Sequence, residues 1–206
     1  MASVSKKTLH AVEQNRDDVK VARNAWREAQ TEMDASKLVF LDECSVNTGM
    51  TRLYARAASN ERVVDYTPDV RFERTSLLSS VRLSGETVPL VFRGSLNGEF
   101  FKEYISVFLV PTLNKGDIVI MDNLTAHKVQ GVTELIEAAG ASVLYLPLYS
   151  PDLNPVELMW SKVKAYLRKV RATTYDALVT SIANAIDLVV HSDIMGWFNQ
   201  NGYSTQ

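Results

Sequence analysis

The sequence is short of the features that would place it outside a reducing, soluble compartment. Its one cysteine, Cys44, excludes an internal disulfide. It has no apolar run of membrane-span length and no leading stretch that reads as a secretory signal, so the expected setting is a cytoplasm, with no membrane partner. It also lacks an excess of either charge. With 22 basic and 24 acidic residues the net charge is −2, which excludes a surface that grips nucleic acid everywhere and confines any such contact to a local patch. With 9 glycines and 6 prolines, and neither an internal repeat nor a low-complexity tract, it is no solenoid or linker-rich array.

What remains is a chain of 206 residues, 46% apolar, enough for one globular domain with a real core. Residues 1–35 are polar and form a helical entry segment. Within it Val19, Ala22, Trp26, Ala29 and Met33 recur at helical spacing, predicting an amphipathic helix over 17–34 that Trp26 anchors to the main domain. From 36 to 206 the pattern changes. "KLVFLDE" (37–43) is an apolar run ending in acids, and "TSLLSSVRL" (75–83) and "TVPLVFRGS" (87–95) flank a Ser-Gly-Glu turn as a hairpin. A helix starts near Asn97 and stops at Pro111, and strand 115–123 follows it. A helix through "AHKVQGVTELIEAAG" is closed by Gly140, and strand 141–148 leads into the helix that carries Glu157. A last helix covers roughly 173–190, with a short terminal piece beyond it.

This order predicts an α/β fold. The second half alternates strand and helix, which demands right-handed parallel crossovers, while the hairpin adds antiparallel strands; the result is a mixed five-stranded sheet flanked by helices. Sites in such sheets gather at the carboxyl edge of neighbouring strands. Asp42 and Asp122 each end a strand, and Glu157 stands in a helix's first turn behind Asn-Pro-Val. An acid at any one of these places is often only a turn former or a helix cap. Three converging on one edge would repel strongly unless divalent cations neutralised them, and oxygen-only ligands select hard ions, Mg²⁺ or Mn²⁺.

Three blocks, "FLDE", "IVIMDNLTAHK" and "YSPDLNPVELMW", with 34 residues between Asp122 and Glu157, closely resemble the catalytic motifs of DDE transposases of the mariner superfamily, on its bacterial insertion-sequence branch. The resemblance runs from about residue 20 to "WFNQNGY". It implies a ribonuclease H-like fold and a catalytic triad of Asp42, Asp122 and Glu157 holding two Mg²⁺ or Mn²⁺ ions. It further implies hydrolysis of a phosphodiester at the element's end, then attack of the freed 3′-hydroxyl on a TA target. A homodimer on DNA, associated with the bacterial nucleoid, belongs to the same expectation. Family members usually carry a helix-turn-helix region that reads the terminal repeats. Nothing here corresponds to it, which leaves a separate recognition chain open. Two positions in the first block also depart from the family: Cys44 stands where a threonine is expected and Ala55 where a glycine is.

Around the triad, His127 matches the second block and is assigned either to the scissile phosphate or to orienting the following helix. Glu43 points to the opposite strand face, while Asp152 and Asn154 shape a turn and Pro155 starts the helix. On that helix Lys164, Arg168 and Arg171 fall within about 40° of Glu157 at 100° per residue, with Met159, Val163, Tyr166 and Val170 on a packing face. The basic flank reads either as a solvated face or as a track for DNA phosphates. Two further functional readings stay open: a nuclease of the same fold that only hydrolyses, and a repurposed domain that merely binds DNA or another transposase chain.

Overall fold

The computed structural model describes residues 11–205 apart from 53, 56, 59, 60 and 68–73. The first ten residues of the expected entry segment, the last residue of the chain and part of the first family block therefore lie outside the described residues.

One sheet organises the domain. Its strands are β1 (Leu38–Asn47), β2 (Arg74–Arg82), β3 (Leu90–Arg93), β4 (Ile118–Met121) and β5 (Ser142–Tyr145), in the spatial order β3-β2-β1-β4-β5. β1 and β3 run antiparallel to β2, while β4 runs parallel to both β1 and β5. This is the mixed five-stranded sheet that the strand order predicts. β1 extends to Asn47, beyond the apolar run seen in the sequence, because nine of its residues pair with β2. β3 is shorter than expected. Only Leu90–Arg93 pairs fully, and Thr87 meets Val81 in an isolated bridge across the turn at Gly85, whose φ of 99° no side-chain-bearing residue would adopt cheaply.

Side-chain alternation along β1 builds two cores. Leu38, Phe40, Cys44 and Val46 face one layer made by α4 (Pro155–Val170), α5 (Tyr175–Asp187) and α6 (His191–Gln200). Val39 and Leu41 face the other, made by α2 (Gly98–Tyr104), the π-helical stretch Ile105–Leu109 and α3 (Val132–Ala138). Both faces are covered, which is why the parallel strands read as continuous apolar runs. The single thiol sits inside the first core, where burial pushes it up to about 12 and makes it inert.

Helix boundaries differ from the sequence reading where side chains or glycine intervene. The expected long helix after β4 is split: a short 3-10 turn, Thr125–Lys128, ends at Val129 in extended backbone, and α3 starts afresh behind Gly131 at φ 93°. The terminal piece is a full helix, α6, started by Asp193 accepting a hydrogen bond from the Val190 N–H at 3.0 Å. The N-terminal helix α1 spans Asp17–Ala29, ending in a 3-10 turn rather than reaching residue 34. Trp26 anchors it as expected, donating from Nε1 to the Tyr203 hydroxyl at 3.1 Å. Among the described residues no single helix is long and apolar enough to cross a membrane.

Candidate active site

The register brings the acids together. Leu41 pairs with Met121 in the parallel β1–β4 ladder, so Asp42, where β1 runs on beyond β4, stands beside Asp122, the first residue after β4. Alternation sets Asp42 on the face of Phe40 and Cys44, the face that α4 covers. Glu157 reaches the same place because the α4 start is fixed. The Asn154 side chain accepts from the Val156 N–H at 3.2 Å, Pro155 occupies the first turn, and the Glu157 N–H donates to the Asn154 carbonyl at 3.1 Å. All three acids line one open cleft of about 430 Å³, walled by Asn123, Leu124 and the turn from Pro147 to Pro151.

Their electrostatics set them apart from ordinary surface acids. Asp42 is 6% exposed, and its Oδ2 is buried with no hydrogen-bond partner. Burial first, then the charges of Glu157 and Asp122, push its carboxyl well above the usual range. Glu157 is open to solvent along part of its length, yet the protein atoms packed round its carboxyl raise it too; Lys164 opposes that shift and Asp122 adds to it. Asp122 accepts from the Leu124 N–H at 3.2 Å, and its Oδ1 lies 2.5 Å from Nδ1 of His127.

Among the described residues no group of three or more His, Cys, Asp or Glu side chains stands as a ready-made ligand set. The donors nonetheless fit a hard divalent cation. They are oxygen-only, they converge on one cleft, and Asp42 offers a buried oxygen that no protein donor satisfies, a state a cation would relieve.

Several neighbours lie elsewhere than the sequence suggested. His127 is fully buried and stacked on Phe101 with ring centroids 4.4 Å apart, away from any phosphate in the cleft, and its Nδ1 lies beside Asp122 Oδ1. Arg171 is not on the basic stripe. It follows the last turn of α4 in the left-handed region, φ 58°, and its guanidinium is engaged by the Asp65 carboxylate and the Tyr66 carbonyl. Lys164 and Arg168 remain half-buried along the flank of α4, Lys164 near enough to Glu157 to pull its carboxyl down. On the packing face Leu167 is buried and Val170 is exposed, because the helix ends there. Glu43 is half-buried, with Oε1 buried and unpartnered.

The turn between β5 and α4 holds what the sequence reading missed. Asp152 does more than shape it. It takes a two-point contact from Arg23 of α1, Nη1 at 2.8 Å and Nη2 at 2.7 Å, and Arg23 Nη1 also donates to Ser150 Oγ at 2.7 Å. Gln14 Nε2 donates to the Tyr149 carbonyl at 2.6 Å, and the Tyr203 hydroxyl to the Leu153 carbonyl at 2.8 Å. A signal existed in the sequence. Arg23 lies on the same stripe as Val19 and Trp26, and a cation on an apolar stripe needs a buried partner.

Comparison with known proteins gives this arrangement relatives. Residues 37–179 match the family described as DDE superfamily endonuclease. The Tc1 transposable-element transposase of Caenorhabditis elegans is 27% identical over 85 residues, which are 41% of this chain and 31% of that protein. Among solved structures, the mariner Mos1 paired-end complex with Mg superposes with a TM-score of 0.79 at 15% identity, covering 98% of this chain and 64% of that one. The isolated catalytic domain of Mos1 mariner transposase gives 0.65 at 12% identity, covering 98% and 100%. At these identities the structural likeness shows the fold, a five-stranded sheet of ribonuclease H type. The chain spans about a third of the Tc1 transposase's length and just under two thirds of the full Mos1 chain.

Proposed function

The chain belongs to the DDE superfamily endonuclease family, and from that membership we propose that it is the catalytic domain of a transposase on the bacterial insertion-sequence branch of the mariner superfamily. It cuts DNA at the ends of a mobile element and joins the freed 3′-hydroxyl to a TA target. Residues 1–35 are its entry segment and 36–206 its catalytic domain. One observation carries this reading: the Leu41–Met121 register delivers Asp42 and Asp122 to one edge, and the Asn154 cap aims Glu157 at the same cleft.

In this reading Asp42, Asp122 and Glu157 hold two Mg²⁺ or Mn²⁺ ions. When bound, such ions supply Lewis-acid activation of an attacking oxygen and charge neutralisation at the leaving one. The chain's own residues do the rest. Burial fixes the Asp42 carboxylate in one place, and the buried His127 ring lies directly behind Asp122. Glu157 comes from a separate element, α4, whose buried residues Val156, Met159 and Trp160 seat it against the sheet. Lys164 and Arg168 offer the phosphates a local cationic edge on a chain whose balance is otherwise slightly acidic. A homodimer on DNA and a cytoplasmic setting complete the proposal. The Tc1 and Mos1 proteins are named as transposases, and Mos1 is seen with transposon-end DNA and with Mg, which supports the same direction.

The test is a strand-cleavage and strand-transfer assay with Mg²⁺ or Mn²⁺ on duplexes carrying the terminal repeats. Cleavage followed by joining at TA is expected. Cleavage without joining would reduce the function to hydrolysis, and substantial activity in Glu157→Gln would overturn the triad.

A further inference from the structure

We propose that Tyr149 is a substrate-contacting residue whose ring receives a nucleobase beside the phosphodiester at the acids, and that Arg23 is the positioning residue that holds it there. This rests on the transposase reading of the same cleft.

The backbone gives the first reason. Tyr149 has φ 55°, a region a bulky residue occupies only when its surroundings enforce it. The enforcement is visible and comes from far along the chain. Gln14 Nε2 binds the Tyr149 carbonyl at 2.6 Å, and Arg23 Nη1 approaches the same oxygen at 3.4 Å while binding Ser150 and Asp152. Arg23 is 8% exposed, so its charge is stabilised almost wholly by this turn. A buried arginine and a strained residue are a costly way merely to join β5 to α4.

The position of the ring gives the second reason. Tyr149 is 41% exposed and lines the cleft that contains Asp42, Asp122 and Glu157. Leu124 and Leu148, also exposed, line it too, with Pro147 and Pro151 completing an apolar wall beside an acidic floor. A nucleic acid matches such a division. The phosphate belongs with the acids and their cations, and the neighbouring base, once unpaired, has an apolar face that an aromatic ring can stack on. Such stacking tolerates any base, so this contact selects an unpaired end rather than a sequence.

Tests use the full chain and a short duplex with a frayed end, carrying 2-aminopurine next to the terminal phosphate, with Ca²⁺ in place of Mg²⁺. Wild type is expected to change the probe's fluorescence on binding. Tyr149→Ala should abolish that change and weaken binding of the frayed duplex roughly tenfold, but not that of a fully paired one. Tyr149→Phe should retain the fluorescence change, because the ring and not the hydroxyl makes the contact. Arg23→Lys and Asp152→Asn, neither of which touches the Trp26–Tyr203 hydrogen bond, should reduce the same signal, and combining either with Tyr149→Ala should add nothing. A wild-type protein that cleaves repeat-bearing DNA while Tyr149→Ala leaves fluorescence and frayed-end binding untouched would overturn this inference alone. Arg23 effects that add fully to those of Tyr149→Ala would overturn the positioning role. A wild type with no cleavage in Mg²⁺ or Mn²⁺ would instead count against the transposase reading itself.

Discussion

The two ends of the central strands bury carboxylates in opposite ways. At the amino end of β4, Asp117 is 1% exposed and fully answered: Arg82 donates to it at 2.7 Å and the Asn114 N–H at 2.6 Å. Burial alone would raise this carboxyl, but the Arg82 hydrogen bond, the Asn114 N–H and the Arg82 charge outweigh it and hold it below the usual range. At the carboxyl end Asp42 is nearly as buried, its Oδ2 has no partner, and the pull of the Glu43 N–H and the Trp160 indole is outweighed by burial and by the repulsion of Glu157 and Asp122. One end is satisfied and contributes stability. The other is left wanting positive charge, which is what a cation-dependent site requires.

The sharpest way to break this comparison is to neutralise the unsatisfied end. Asp42→Asn, Asp122→Asn and Glu157→Gln should each reduce DNA cleavage by ~10⁴-fold, with combinations costing little more, because groups acting as a unit are not additive. Single-turnover cleavage measures this; losses that multiply would mean the three acids act separately.

Next in size is the satisfied end. Arg82→Met leaves Asp117 buried without its cation, held only by the Asn114 N–H, and should lower stability by ~3–5 kcal/mol, read from denaturant unfolding. Pairing it with Asp117→Leu should recover most of that loss. A cost for Arg82→Met as small as that of a surface substitution would remove the contrast between the two ends.

Acidity sharpens the comparison, because the signs differ. Asp117 is depressed, so its contribution is present above the ordinary aspartate value of about 4 and is lost as pH falls through its lower folded value. Asp42 is raised, so its burden is absent below about pH 4, grows as pH rises toward the folded value, and is complete above it. In EDTA, Asp42→Asn should therefore gain on the order of 1 kcal/mol over wild type at neutral pH and nothing near pH 4. Mg²⁺ should raise the melting temperature of wild type more than that of the variant.

The smallest effect lies on the flank of α4. Replacing Lys164 or Arg168 by Ala should lower the log–log salt slope of DNA binding by up to about 0.9 for each phosphate that the side chain would have neutralised. Arg171→Ala should do less, because its guanidinium is engaged by Asp65.

Much of the site could be read before the fold. Two apolar runs ending in Asp42 and Asp122 announced parallel neighbours, and Asn-Pro before Glu157 announced a capped helix, because strand periodicity and helix starts are written in adjacent residues. What misled was local pattern taken beyond its range. Arg171 matched the stripe by angle, yet the helix ends before it and Asp65 takes its charge. His127 matched by spacing with the family block, yet packing against Phe101 removes it from solvent.

The sequence by itself determined the order of the strands and singled out the three acids, since these depend on residue type and spacing within a dozen positions, although β1 runs on past Asp42 to Asn47. Only the tertiary structure decided which charges are satisfied. Arg82 and Asp117 are 35 positions apart, and Arg23 meets Asp152 across 129. Whether a buried carboxylate gains a partner or keeps a bare oxygen depends on which distant side chains the packed layers bring within about 3 Å, and no local pattern carries that information.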